Sequence, residues 1–145
     1  MKDNLKLIGS NSDDLKTISA YCQDAIVKVK DVVYLKESKI FILKLSRFMW
    51  EDLEKGIHRK YKRIDSYLRF NLVEKVQSKN INQKKNDRNL ELLTIKSRVE
   101  ENNVYEISLI FSGDSVLLLY SEVIDVILDD QNNYWEVERF PKHKL

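Results

Sequence analysis

The sequence contains a single cysteine, Cys22, a single proline, Pro141, and only three glycines. One cysteine excludes a disulfide framework within the chain and a cysteine-rich zinc site. Gly9, Gly56 and Gly113 stand far apart, so there is no glycine-rich phosphate loop, no dinucleotide fingerprint and no Gly-x-Ser-x-Gly elbow. No apolar run nears the roughly 18 residues that span a bilayer. The longest, 116–120, is strand-sized. The first dozen residues carry Lys2, Asp3 and Lys6 and lack the apolar centre of a signal peptide. Charge of one sign is missing too: 25 Lys and Arg against 23 Asp and Glu leave a net charge of +2, so no global field marks a dedicated nucleic-acid binder. These absences lead us to expect a cytoplasmic protein with no membrane segment, no cofactor and no metal site.

What is present is globular. A chain of 145 residues with 43% hydrophobic and 33% charged residues reads as one domain, 1–145, able to bury its own core. Leu5-Lys6-Leu7-Ile8 is a short strand candidate ending in the turn cluster Gly9-Ser10-Asn11-Ser12, which also offers helix N-caps. Asp13 and Asp14 suit a first helical turn, and Leu15, Ile18 and Cys22 form one apolar stripe on that helix.

Beyond Ala25 the period changes to two. Val27 and Val29 alternate with Lys28 and Lys30, then Val33 and Leu35 follow a turn or bulge at Asp31. A longer strand over 39–48 has Phe41, Leu43 and Leu45 on one face. Short connections between such strands force antiparallel neighbours. Segment 57–72 fits a helical stripe or a strand face through Ile64, Leu68, Phe70 and Leu72; its aromatics and the preceding glycine favour the strand. Segment 73–89, rich in Lys and Asn, reads as a mobile loop. Two further strands cover 90–99 and 104–111, and Ser112-Gly113-Asp114-Ser115 is a hairpin turn leading into another at 116–120. Ser121 can cap a second helix from Glu122 to about Asp130, buried through Val123, Ile124, Ile127 and Leu128, and 131–145 reads as a tail.

The predicted class is therefore α+β. A predominantly antiparallel meander forms a twisted sheet or partly closed barrel, with one N-terminal and one C-terminal helix. A pleckstrin-homology-like barrel, whose last hairpin is followed by a capping helix, is one specific version. The segments Gln23-Asp24-Ala25-Ile26-Val27-Lys28-Val29 and Ser46-Arg47-Phe48-Met49-Trp50-Glu51 carry a resemblance to a known family. Together with Leu5-Lys6-Leu7-Ile8 and the closing Trp135…Pro141-Lys142-His143, they resemble the domain of unknown function numbered 2948, a family of small alphaproteobacterial proteins. The resemblance implies a bacterial context and brings no catalytic or binding residue with it.

Charge is segregated along the chain. Residues 55–88 hold eleven Lys and Arg against three acids, whereas 100–139 hold ten acids against Arg139. Within the basic half, Arg59, Lys60, Tyr61, Lys62, Arg63, Tyr67 and Arg69 interleave cations with aromatics, which suits phosphate neutralisation and base stacking. A solvated strand face explains the same residues, as does pairing with the acidic half of a second copy. His58 and His143 are far apart and lack a third ligand at metal spacing. Trp50 and Trp135, at the ends of apolar segments, either line a pocket or seal the core. A catalytic site would have to be assembled from scattered groups, with Glu51, His58 and Tyr61 the one polar set to name. The balance favours a non-catalytic binding or interaction module over a nucleic-acid-binding protein or an enzyme.

Overall fold

The computed structural model describes residues 4–51, 61–82, 84 and 87–137, with the side chain of Tyr61 outside the description. The elements run β1 (Lys6–Gly9), α1 (Ser12–Tyr21), β2 (Ala25–Leu35), β3 (Ile40–Phe48), β4 (Tyr61–Phe70), β5 (Val73–Lys79), β6 (Asn89–Val99), β7 (Tyr105–Phe111), β8 (Val116–Ser121) and β9 (Val126–Val137), with a 3₁₀ turn at Glu101–Asn103. The nine strands of the described residues belong to one open antiparallel sheet in the order β1-β9-β4-β3-β2-β6-β7-β8-β5. No helix among the described residues is long and apolar enough to cross a membrane.

Helix α1 begins as its sequence dictates. Asn11 is the N-cap, its Oδ1 accepting from the Asp14 N–H at 2.8 Å, with Asp13 and Asp14 in the first turn. Leu15, Ile18 and the C-cap residue Cys22 are buried against the sheet. In β2 the alternation of Ala25, Val27 and Val29 breaks where the register against β3 slips between Val27 and Val32, the bulge expected near Asp31. Phe41, Leu43 and Leu45 of β3 and Ile107, Leu109 and Phe111 of β7 face the core. Segment 61–70 is a strand, burying Ile64, Ser66, Leu68 and Phe70; Leu72 falls outside that face, half-exposed with a left-handed φ of 59°.

The sheet cannot be flat. Strands β4 and β5 lie six neighbour spacings apart in the sheet order, about 29 Å at roughly 4.8 Å each. Yet only Asn71 and Leu72 separate Phe70 from Val73, a span of at most about 11 Å. The sheet therefore curls until β5 returns beside the β2–β3 hairpin. There the Val73 N–H donates to Lys39 O at 2.8 Å and the Tyr34 hydroxyl donates to Val73 O at 2.8 Å. One core fills the curl, from Leu15 of α1 through Leu43 and Leu68 to Leu109, Leu119 and Leu128.

Three expectations are corrected. The C-terminal helix over 122–130 does not form, so the pleckstrin-homology-like version loses its capping helix. Ser121 ends β8, its hydroxyl donating to Leu72 O at 2.8 Å, and Ile124, Val126, Leu128 and Asp130 bury alternate side chains leading into β9. The apolar residues at 123, 124, 127 and 128 satisfy a helical stripe, but Val126 to Asp129 pair with both β1 and β4, which satisfies their backbone on two sides. The loop over 73–89 contains β5, a sheet-end strand burying Val73 and half-burying Val76, too sparsely apolar to show a period. The tail over 131–145 continues β9 as far as Val137, and 138–145 lie outside the described residues.

Candidate functional site

Of the basic segment, Arg59 and Lys60 lie outside the described residues, as do His58 and the side chain of Tyr61. Lys62 sits 5.5 Å over the ring of Tyr134. Arg63 is half-buried and donates from Nη1 to Ser46 O at 3.0 Å. Burial lowers its pKa, with Asp24 and Glu91 acting in the opposite direction. Tyr67 and Arg69 are exposed on the outer face of β4, where Arg69 Nε donates to Asn71 Oδ1 at 2.8 Å. The same face holds Asp65, which is 3.7 Å from Lys44 Nζ, and Asp129 of β9 stands opposite Tyr67. Cations and carboxylates thus interleave on this surface. A phosphate approaching it meets both signs.

Trp50 donates from Nε1 to Gln23 O at 3.1 Å, and its ring centroid lies 4.6 Å from that of Phe48. Trp135 lies across from Arg63 on β9 and is 37% exposed. The cavity beside Trp50, lined by Ala20, Tyr21 and Glu51, measures about 80 Å³, space for two or three waters at roughly 30 Å³ each.

Beneath it lies a polar cluster that periodicity does place, once β9 is known. Arg47 follows Phe41, Leu43 and Leu45 on the inward face of β3, Ser66 lies inward on β4, and Asp130 inward on β9. Ser66 and Asp130 are cross-strand partners, and the Ser66 hydroxyl donates to Asp130 Oδ1 at 2.5 Å. The Arg47 guanidinium, fully buried, donates from Nε to Asp130 Oδ1 at 2.9 Å and from Nη2 to Oδ2 at 2.5 Å. A second fork reaches Glu51, from Nη1 to Oε1 at 2.9 Å and from Nη2 to Oε2 at 2.6 Å. The Tyr21 ring stacks over the guanidinium at 5.5 Å. Burial alone would lower the Arg47 pKa, but its hydrogen bonds to Asp130 and Glu51 outweigh it and hold it above its ordinary value. Cys22 lies in the field of this pair; burial pushes its thiol up to about 12, so it stays a neutral core side chain rather than a nucleophile. Glu51, the one described carboxylate of the scattered catalytic set, spends both oxygens on Arg47. The cluster is a pin joining β3, β4 and β9, in which the buried Arg47–Asp130 pair is matched and the partly exposed Glu51 adds a second carboxylate.

A larger opening lies elsewhere. Strand β6 pairs with β2 only through 89–92, and beyond Leu92 no described strand covers that edge. Helix α1 runs beside it instead. The Ile95 N–H, turned away from β7, donates to Ser19 Oγ at 2.9 Å, and Ser19 Oγ is 3.3 Å from Thr94 Oγ1. In a strand the residues two apart face the same edge, so the main-chain groups of Ser97 and Val99 point that way as well. Between helix and strand runs a groove of about 640 Å³, walled by Ser12, Lys16 and Ala20 on α1, by Gln23 in the turn after it, and by residues 93–97 on β6. Leu93, a lining residue on the β6 bulge, is 39% exposed, and Val99, two residues beyond Ser97 on the same strand, is 58% exposed. No motif announces this groove, because one of its walls is the edge of a strand. The signal available was the spacing of Ser12, Lys16 and Ala20, four residues apart along one helical stripe.

A family model described as a protein of unknown function, DUF2948, matches residues 5–143. No curated protein matches the chain, and no solved structure does.

Proposed function

The chain belongs to this family of unknown function, and we propose that it is a non-catalytic binding module that receives an extended peptide segment of a partner protein along the open edge of β6. The observation that carries the reading is the Ile95 N–H bonded to Ser19 Oγ, which marks an edge flanked by a helix and, among the described residues, left without a neighbouring strand. Extended peptides add to such edges through main-chain hydrogen bonds, while adjacent pockets select side chains. Dimensions agree: the ten residues of α1 span about 15 Å, and five residues of extended peptide about 17 Å. Lys16 and Lys96 on opposite walls favour a peptide bearing carboxylates. Leu93 and Val99 of β6 supply the apolar contacts. Against an enzyme stands the commitment of Glu51 to Arg47, and against a nucleic-acid surface the carboxylates of Asp65 and Asp129 among the cations of β4.

Selection from a displayed library of random octapeptides, followed by fluorescence polarisation of the selected sequences, tests the reading. Ser97→Pro removes an edge N–H without touching the β6–β7 ladder, a position where a strand tolerates proline. It should weaken a selected peptide at least tenfold, roughly the worth of one main-chain hydrogen bond, with the circular dichroism spectrum unchanged. Peptides whose binding survives Ser97→Pro, or a library that yields no binder tighter than about 100 μM, would overturn it.

A further inference from the structure

A second opening lies on a different face, where the curled sheet fails to close. Strand β2 leaves β6 after Lys28, its last bond there being Val29 N–H to Arg88 O at 3.0 Å. From that point its free edge faces β5, the far end of the sheet. The two strands are tied at the top by the Tyr34 hydroxyl on Val73 O, and among the described residues no ladder joins them below. The gap is a cleft of about 410 Å³. Its floor is Val29, Leu90 and Leu117, which are 8%, 2% and 4% exposed and belong to the core. Its walls are Val32, Val76 and Ile81, half-buried and packed against that core. Lys30 and Ser78, both exposed, are the polar residues at its mouth besides Tyr34.

We propose that this cleft is a ligand site for a medium-chain acyl carboxylate, its chain lying among Val29, Val76 and Leu117 and its carboxylate at Lys30. The shape decides the class. The apolar surface is recessed rather than presented, so a flat protein surface cannot reach the floor, whereas a chain of methylenes can. Concave, mostly apolar sites of about 300–1,000 Å³ with a few polar groups at one end are the usual form of small-molecule sites. The volume sets the length: at roughly 30 Å³ for a water-sized group, the cleft accommodates about a dozen methylenes. Among the described lining residues Lys30 is the one cation and none is a carboxylate, which sets the charge of the head group. The site is separate from the α1–β6 groove, and either can fail without the other.

A chain-length series tests it. Hexanoate, octanoate, decanoate, dodecanoate and tetradecanoate, each below its micellar concentration, are titrated into the full chain and followed by methyl NMR shifts of Leu90 and Leu117. Affinity should rise about fourfold per added methylene while the cleft fills, then level off near a dozen carbons. Lys30→Met should weaken decanoate about fivefold and leave decanol unchanged, the effect of one exposed ion pair. Val76→Trp should fill the cleft and abolish binding of both. Ser78→Trp, at the exposed mouth, does the same without altering the core, so the test does not depend on Val76→Trp folding. Affinity that climbs without a plateau through tetradecanoate, or that ignores Ser78→Trp, is adsorption to the surface and overturns the proposal. So does a Lys30→Met variant with an unchanged ratio of decanoate to decanol affinity, or the absence of shifts at about 1 mM decanoate.

Discussion

Replacing Arg47 by Met and Asp130 by Leu, singly and together, separates the cost of breaking the buried pair from the cost of never having had it. In Arg47→Met the Asp130 carboxylate, 4% exposed, keeps only the Ser66 hydroxyl, and Glu51 loses its fork. Stranding one partner of a buried ion pair costs about 3–5 kcal/mol. In Asp130→Leu the guanidinium stays fully buried but retains Glu51, whose side chain is 17% exposed, so this variant belongs at the lower end of that range. The double variant buries no unmatched charge. Glu51 can turn towards water, and the remaining penalty is the Ser66 hydroxyl without its acceptor, about 1–3 kcal/mol.

The double variant should accordingly be more stable than Arg47→Met alone, with a coupling energy of about 3 kcal/mol or more. Urea titrations of the four proteins give the cycle directly. Thermal melting should place Arg47→Met about 10 °C or more below the parent, at roughly 2–4 °C per kcal/mol for a chain of this size. Arg47→Lys should not rescue, because an ammonium cannot fork to two carboxylates at once. Single substitutions that add within about 0.5 kcal/mol, or that cost less than 1 kcal/mol each, would refute the account of the cluster as a pin built on a matched buried pair.

Other consequences follow from single side chains. The Cys22 thiol is raised from an ordinary 9.0 to about 12, so it favours the folded state fully below pH 9, and that contribution is lost as pH rises towards 12. The stability gap between the parent and Cys22→Ala should therefore narrow between pH 8 and pH 11 in paired urea titrations; a constant gap would contradict the burial argument. Gly9 lies where β1, α1 and β9 meet, and a Cβ there would stand 2.8 Å from Val126 Cγ1 and 3.1 Å from Asp14 Cβ. Gly9→Ala should cost about 1–3 kcal/mol by overpacking, read as a lowered melting temperature. Gly113→Ala, at φ +74° in open surroundings, should cost about 1 kcal/mol for its backbone conformation alone.

The elements that could be read from sequence are those with one wet face and one dry face. Strands β3 and β7 alternate cleanly because one side packs on the core, and α1 shows its stripe together with an Asn cap and two acids in the first turn. Strand β5 was missed for the opposite reason. It ends the sheet, buries little beyond Val73, and is held chiefly by β8, the Lys39 carbonyl and the Tyr34 hydroxyl. Such partners lie far away in sequence and leave no local trace.

The error at β9 had the larger consequence, because the buried cluster hung on it. Residues 123, 124, 127 and 128 are apolar at i, i+1, i+4 and i+5, which a helix with a Ser cap accommodates well. The set 124, 126, 128 and 130 is apolar in three positions and acidic in the fourth, and an acid at its end is not the pattern of an inward strand face. In the structure the acid is the reason the face works: Asp130 enters the core opposite Ser66 and meets Arg47, the equally unexpected charge on the inward face of β3. Each charge, read alone, argued against burial. Read as a pair on facing strands, each explains the other, since a buried charge is tolerated only where its counter-charge is placed to meet it. A polar residue that breaks an otherwise regular inward pattern is thus best tested first against a second such break of opposite sign elsewhere in the chain. Arg47 and Asp130 are 83 residues apart and pass that test.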